Sequence, residues 1–391
     1  MIPEYYEFSC PVKIISGRKA LANLPYEMDL LGAHRAMVVT DRGVVEAGLI
    51  KRVESVFAGS PCVIGAVFDE TPPDSSTAAV HRVAALFAEA RCDCFVAVGG
   101  GSCLDTVKCA NMLITEGVED LAAFQGAERL TKPTKPFIAV PTTAGTGSEV
   151  SMVSVVYDEP TKAKLAFTSY RLYPHVAILD PEMTLTVPPY LTAATGMDAL
   201  THAVEAIYGL QRNPVSDAFA AAAIRLIVDH LCTCVRKGRD ETARLALANG
   251  ALLAGISFSN SMVGVVHSLA HACGAVCRTP HGVANAVLLP FGMEYNLAKA
   301  GDAVAGLAPL LRAPLSGEPM QQARAAIQAV RDLGKRLHDL CGLPTTLQEA
   351  GVPQERLEAV AKSAINDGAV TYNPEEITYD DALAFLQRAY A

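Results

Sequence analysis

Through the first half of the chain, short apolar runs alternate with longer stretches of helical period. Ala36–Thr40 (AMVVT), Cys62–Val67, Phe95–Val98 and Phe137–Val140 are such runs, most of them ending at Asp, Gly or Pro. Helical patterns over Ser75–Ala90 and Ser102–Leu113 lie between them. The alternation predicts parallel strands joined by crossover helices. Val176–Leu179, followed by Asp180-Pro181, reads as the last strand of the series. After Pro188-Pro189 the pattern becomes Ala/Leu-rich helix from Leu191 to Tyr390, with breaks predicted at Asn213-Pro214, Pro280, Pro290, Pro314 and Pro344. The expected architecture is an α/β domain over residues 1–188 and an all-helical domain over 189–391. Ligands of open α/β sheets bind outside the carboxyl ends of the strands, so the default site is the cleft between the two domains.

Composition narrows the function. The chain has 391 residues, 51% hydrophobic and 19% charged, with a net charge of −9. No Lys/Arg-rich run offsets that charge, so a phosphate-backbone partner has no electrostatic footprint and nucleic acid is not expected. The opening MIPEYYEFSCPVKII has no basic segment, apolar stretch and cleavage site of the secretory kind. Eleven cysteines, an odd number without a disulfide-scaffold spacing, point to a reducing cytoplasm. Cys92/Cys94 and Cys232/Cys234 are C-x-C pairs and read as small buried hydrophobes. Asn249–Cys277 carries no Asp, Glu, Lys or Arg. Its serines, Asn260, His267, His271 and four glycines would be costly in lipid, so a helical core is expected there and no membrane partner.

Three segments carry candidate chemistry. Gly99-Gly100-Gly101-Ser102 follows a strand and opens a helix. Bare glycine backbone can approach a ligand, Ser102 is the expected N-cap, and the helix start behind it suits a pyrophosphate. The third glycine of G-x-G-x-x-G is replaced by Leu104, so a plain tight turn stays open as the alternative. Asp41, ending the first strand of the series, can accept from ribose hydroxyls and repel a 2′-phosphate, or simply cap a turn. Pro141–Glu149 (PTTAGTGSE) is a second loop rich in hydroxyls and backbone donors after a strand.

The third segment is helical. Asp198 and His202 stand at i and i+4 in an Ala-rich helix, and His267 and His271 repeat that spacing on a second apolar helix. His281 follows just after Pro280. Burying five titratable groups in nearly uncharged segments is costly unless they pair or ligate a metal. Imidazoles with a carboxylate suit Fe(II) or Zn(II), with an open position for a substrate oxygen. Cys273 and Cys277 flank the second helix and are expected to pack rather than ligate.

Together GGGSCLD, PTTAGTGSEVS, AATGMDALTHAVEAI and SMVGVVHSLAH leading into TPHG resemble the iron-containing (group III) alcohol dehydrogenases, in order over essentially the whole chain. The resemblance extends to members of the 1,3-propanediol dehydrogenase and lactaldehyde reductase type. It implies the fold shared with dehydroquinate synthase: a dinucleotide-binding α/β domain and an all-α metal-binding domain. It implies Asp198, His202, His267 and His281 as ligands of Fe2+, with Zn2+ as the other option. It further implies His271 near substrate and nicotinamide, and NAD contacts at Asp41, Gly99, Gly100, Gly101, Ser102, Asp105, Thr142, Thr143, Ser151, Lys164 and Met183. Asp41 matches the acid of NAD-preferring members. Val153 is apolar where some diol-acting members carry a polar residue. A homo-oligomer, dimer or larger, is expected by the same resemblance, with Phe8–Ile15 as a strand that two copies could share.

The activity expected is reversible hydride transfer between NAD(H) and a small primary alcohol or diol and its aldehyde, with His271 relaying the proton. Met152, Val153, Phe258 and Met262 suggest a short apolar pocket. Two enzyme alternatives share the scaffold, a glycerol dehydrogenase-like and a dehydroquinate synthase-like activity. The second needs a cationic cluster for a polyanion, and Arg278 is the sole Lys or Arg between Gly250 and Asn285. A non-catalytic metal- and nucleotide-binding protein is the remaining alternative.

Overall fold

Strand residues alternate between the two faces of a sheet, and a parallel sheet covered on both sides needs apolar residues at every position. That is the character of the runs in the first half. In the computed structural model, which describes residues 3–315 and 317–391, these runs are strands. The chain forms two units, one of Ser9–Thr186 and one of Val187–Ala391 with the N-terminal segment up to Phe8.

The first unit contains β1 (Lys13–Ser16), β2 (Arg35–Val39), β3 (Val63–Phe68), β4 (Cys94–Gly99), β5 (Gly126–Ala127), β6 (Phe137–Pro141), β7 (Val153–Asp158), β8 (Ala163–Thr168) and β9 (Val176–Leu179). Six of them make one parallel sheet in the order β1-β9-β6-β4-β2-β3. Helices α1 (Leu24–Leu30), α2 (Arg42–Glu46), α3 (Leu49–Val56), α4 (Thr77–Glu89) and α5 (Gly101–Glu116) supply the crossovers. The two faces sort by alternate residues. Met37, Val39, Phe95, Ala97, Phe137 and Ala139 enter the core shared with α4 and α5. Val38, Val96, Val98, Ile138 and Val140 enter the opposite core with Leu24, Leu49 and Val53.

A second sheet, in the order β5-β8-β7, was not expected from the sequence. β7 and β8 form an antiparallel pair. Their apolar residues are interleaved with Ser154, Asp158, Lys164 and Thr168, so neither reads as a continuous buried run. The helix expected from Ser102 starts one residue earlier. Gly100 is the N-cap of α5, in an extended conformation and without a side-chain cap. Ser102 instead lies in the first turn and donates its hydroxyl to the Pro73 carbonyl. Gly100 has an ordinary extended φ of −83°, and what demands glycine at this turn is space, since a Cβ on Gly101 would lie 2.9 Å from Thr146 Cγ2.

The second unit is helical, as the sequence predicts: α6 (Pro189–Tyr208), α7 (Pro214–Arg236), α8 (Glu241–Ser259), α9 (Val265–Cys277), α10 (His281–Tyr295), α11 (Leu297–Gly306), α12 (Pro319–Cys341), α13 (Leu357–Ala364) and α14 (Tyr379–Arg388). Pro189 and Pro214 sit at first-turn positions where no N–H is needed. The break expected at Pro290 does not occur, and Pro290 lies inside α10. Its ring removes one helical hydrogen bond, but α10 is buried along most of its length and packs on α6, α9 and α12. Tertiary burial thus outweighs the local penalty. The uncharged stretch Asn249–Cys277 is divided between α8 and α9. Among the described residues α7 alone is long and apolar enough to cross a bilayer by length and composition. It instead buries Ala220, Ala223, Ile224, Ile227 and Leu231 in the unit, packed on α6 and α8.

Asn213 both caps α7, accepting from Ser216 N at 2.9 Å, and donates to the Asn260 carbonyl after α8 at 3.1 Å. Asn213→Ala is expected to cost about 1–2 kcal/mol. Calorimetry should show the melting temperature falling by several degrees.

Candidate metal centre and nucleotide loops

An α-helix places residues i, i+4 and i+7 on one face. On α6 that face carries Asp198, His202 and Glu205, all three buried. His267 and His271 share a face of α9, and His281 and Asn285 share one at the start of α10. A Cβ on Gly282 would sit 2.5 Å from the Ala194 carbonyl oxygen. Only glycine lets α10 approach α6 so closely, and the approach brings His281 Nε2 within 3.4 Å of Asp198 Oδ1.

Asp198, His267 and His281 each bring one ligand atom within 4.8 Å of the others. His202 stacks on His267 with ring centroids 4.4 Å apart, and Phe258 covers its other side at 4.2 Å. His271 stacks on His281 at 5.1 Å. The four imidazoles therefore form one cluster against the Asp198 carboxylate. Asn285 Nδ2 donates to Asp198 Oδ1 at 2.7 Å and lies 3.1 Å from His281 Nε2.

Burial decides the protonation of the rings. It pushes His202 and His267 down to about 3 and His281 well below its ordinary range. Burial works the other way on Asp198, but its histidine neighbours and the Asn285 amide more than compensate and hold it below the usual carboxylate value. The result is neutral imidazoles around an ionised carboxylate, the form that binds a metal. Two ring nitrogens of the cluster, His202 Nδ1 and His267 Nε2, are buried with no hydrogen-bond partner. Such orphans cost about 1–3 kcal/mol each, and a divalent cation coordinated by the cluster satisfies donors of this kind. The residues present therefore fit a metal of the Fe(II)/Zn(II) class. Cys273, whose thiol burial pushes up to about 12, stays protonated and packs in the core.

The candidate nucleotide residues lie in the first unit. β2, β4 and β6 are adjacent in the sheet, so their carboxyl ends place Asp41, Gly99–Ser102 and Thr142-Thr143 side by side. The strand order reverses about β2, which is the switch point where such sheets bind ligands. Asp41 caps α2, accepting from Val44 N at 3.0 Å, and its other oxygen faces the Cys103 thiol. The glycines have an internal reason as well: a Cβ on Gly99 would collide with Cys103, and one on Gly101 would lie 2.9 Å from Thr146 Cγ2. The α5 N-terminus, free of a side-chain cap, is suited to an anion.

The remaining candidates are less alike. Asp105 uses one oxygen to accept from Ser148 Oγ and the other from Val155 N. Ser151 is buried and, with Ser148 and the Val153 carbonyl, accepts from the wholly buried Lys108 ammonium. Lys164, on β8, reaches Asp74 at 3.4 Å. Met183 is fully buried among the apolar residues beneath the sheet.

Comparison with known proteins agrees with this geometry. The profile of iron-containing alcohol dehydrogenases matches residues 11–181, and that of the C-terminal region of the Fe-containing alcohol dehydrogenase family matches residues 192–390. The chain is 37% identical to the 1,3-propanediol dehydrogenase of Klebsiella pneumoniae and 35% identical to the NAD-dependent methanol dehydrogenase of Bacillus methanolicus. Each alignment covers 98% of this chain and 99% of the relative. A crystal structure of a 1,3-propanediol oxidoreductase superposes with a TM-score of 0.95 at 36% identity, covering 99% of this chain and all of that one.

The chain belongs to the iron-containing alcohol dehydrogenase family. As a member it is an oxidoreductase acting on alcohols, and its N-terminal α/β unit and helical C-terminal unit are those of the family. Four residues with a part in these sites escaped the sequence reading. Glu205 and Asn285 each stand one helical turn after a candidate ligand, a spacing that could have marked them. Lys108 lies in α5 one turn after Asp105. Asp367, which accepts from His271 Nδ1 at 2.8 Å, is 96 residues away in sequence and left no local signal.

Metal that binds only the folded chain stabilises it by about 2.7 kcal/mol at a hundredfold excess over the dissociation constant. Adding Zn(II) or Fe(II) to metal-stripped protein should therefore raise the melting temperature by several degrees. In Asp198→Ala the shift should vanish, as thermal denaturation with and without metal would reveal.

Proposed function

We propose that the protein interconverts a small primary alcohol or diol and its aldehyde by hydride transfer to and from NAD(H). The observation that carries this reading is the set of Asp198, His267 and His281 donors on three helices, with neutral rings and an unpartnered His267 Nε2. His202, stacked on His267, completes the proposed ligand set. A divalent metal held there supplies Lewis acidity to a substrate oxygen and lowers the pKa of an alcohol.

The protein's own residues do the rest. Asp41 accepts from the ribose hydroxyls of NAD and repels a 2′-phosphate. The Gly99–Ser102 turn and the α5 N-terminus take the pyrophosphate, and Thr142, Thr143, Ser151 and Lys164 line the approach of the remaining cofactor. In the oxidation direction the carbinol carbon gives its hydride to nicotinamide C4, and the hydroxyl proton leaves through His271. Asp367 accepts from Nδ1 of that ring, which leaves Nε2 as the nitrogen that takes up the proton. Phe258 against His202 and the half-buried Met262 favour a short, weakly polar substrate.

The reading extends to assembly and place. β1 stands at the edge of the sheet, where a second copy can add a strand, which supports a dimer or larger homo-oligomer. All eleven cysteines are free thiols, in keeping with a cytoplasmic enzyme.

Anaerobic protein stripped with chelator and reloaded with Fe(II) or Zn(II) should oxidise NADH with two- to five-carbon aldehydes. Absence of turnover with both metals, despite NADH binding, would sink the dehydrogenase reading. His271→Ala should lose ~10²–10⁴-fold in kcat while still taking up metal. Asp41→Asn keeps the helix cap but removes the charge. It should shift the ratio of kcat/KM values for NADPH over NADH upward by roughly tenfold, about 1.4 kcal/mol, and an unchanged ratio would remove Asp41 from cofactor selection.

A further inference from the structure

Glu205 has no part in the chemistry above, yet it is wholly buried among the metal donors. It follows His202 by three residues on the same face of α6, and three main-chain N–H groups and one ring nitrogen converge on it. Oε1 accepts from Val266 N at 2.8 Å. Oε2 accepts from Gly264 N at 2.9 Å, from His267 N at 3.4 Å and from His267 Nδ1 at 2.6 Å. Three of these four atoms are main-chain N–H groups, which can only donate, and a carboxylate accepts from all of them. Against a carboxylate, Nδ1 of His267 carries the ring hydrogen and Nε2 keeps the lone pair. That Nε2 is the buried nitrogen without a partner.

We propose that Glu205 is a positioning residue of the metal centre, setting the tautomer and ring orientation of His267 so that Nε2 faces a divalent cation. The inference rests on the metal-centre reading. One side chain performs two tasks. The N-cap of α9 is Gly264, which has no side chain to close the helix start, and Glu205 closes it from α6 instead. The ring and the helix that carries it are thus held by the same carboxylate. A partner of this kind also raises the basicity of a ligating imidazole, and its loss typically costs 10–100-fold in metal affinity.

The decisive variant is Glu205→Gln, whose amide oxygen still accepts from α9 while the charge is gone. Co(II) affinity would be read by competition with a chromophoric chelator, alongside the visible Co(II) spectrum and the melting temperature of the apo-protein. Affinity is expected to fall roughly 10–100-fold with altered d–d bands. Wild-type affinity and an unchanged spectrum, whatever the melting temperature, would reduce Glu205 to a helix cap and overturn the proposal. Asn373→Ser is the control, because Asn373 Oδ1 accepts from Val265 N at the same helix start, at 3.2 Å. It should lower the melting temperature and keep Co(II) affinity, whereas a loss as large as that of Glu205→Gln would show that any loosening of α9 suffices.

Should Glu205→Gln fail to fold, 15N-histidine spectra of wild-type apo-protein decide the matter. A protonated Nδ1 and bare Nε2 in His267 support the proposal, and the reverse tautomer overturns it. Wild-type protein that does not bind Co(II) at all would remove the metal centre itself, a result separate from failure of the Glu205 variant alone.

Discussion

The helical unit is organised around a costly burial. Asp198, His202, Glu205 and His267 lie out of water inside helices that are otherwise almost uncharged. Desolvation keeps the imidazoles neutral, and it pushes Glu205 up to about 7 against the three main-chain N–H groups that hold its charge. Each polar atom there must find a partner or be left at a penalty. Most do, through Asn285, Glu205 and Asp367. Those that do not include His202 Nδ1, His267 Nε2 and Asn285 Oδ1, and this residue of unmet demand is what marks the place as a candidate metal centre rather than a closed polar core.

The same demand explains the neighbouring packing. Gly282 lets α10 close on α6, Asn285 ties Asp198 to the α10 start, and Glu205 fastens α9 to α6. Helix positions and ligand geometry are therefore not separable: the contacts that assemble the bundle are the contacts that aim the donors. A site held by three rigid helices and buried hydrogen bonds is preorganised, which favours selective coordination over the adaptable geometry of a surface cluster.

In the α/β unit the ordering principle is the sheet. Residues Asp41, Gly99 and Thr142 are far apart in sequence, but parallel pairing of β2, β4 and β6 puts their strand ends in one row. The glycines there serve the protein's own packing against Cys103 and Thr146 as well as any ligand. Lys108 shows how much of this edge is internally braced, since its buried ammonium is spent on Ser148, Ser151 and Val153.

The sequence by itself determined the elements whose signal is local. Continuous apolar runs marked the parallel strands, Pro and Asn marked the start of α7, and the i,i+4 pairs of Asp198 with His202 and His267 with His271 marked a candidate metal centre. Each of these depends on spacing along one element, which is what a sequence displays directly. The tertiary structure decided the rest. The mixed polar faces of β7 and β8 hid a second sheet, burial carried α10 through Pro290, and the α5 cap fell at Gly100 rather than Ser102, whose hydroxyl is taken by the Pro73 carbonyl. Asp367 meets His271, and Glu205 meets His267, only because separate helices pack together. Hydrogen bonds between distant segments leave no periodicity in the chain, so their partners become visible only once burial has forced every polar group to find one.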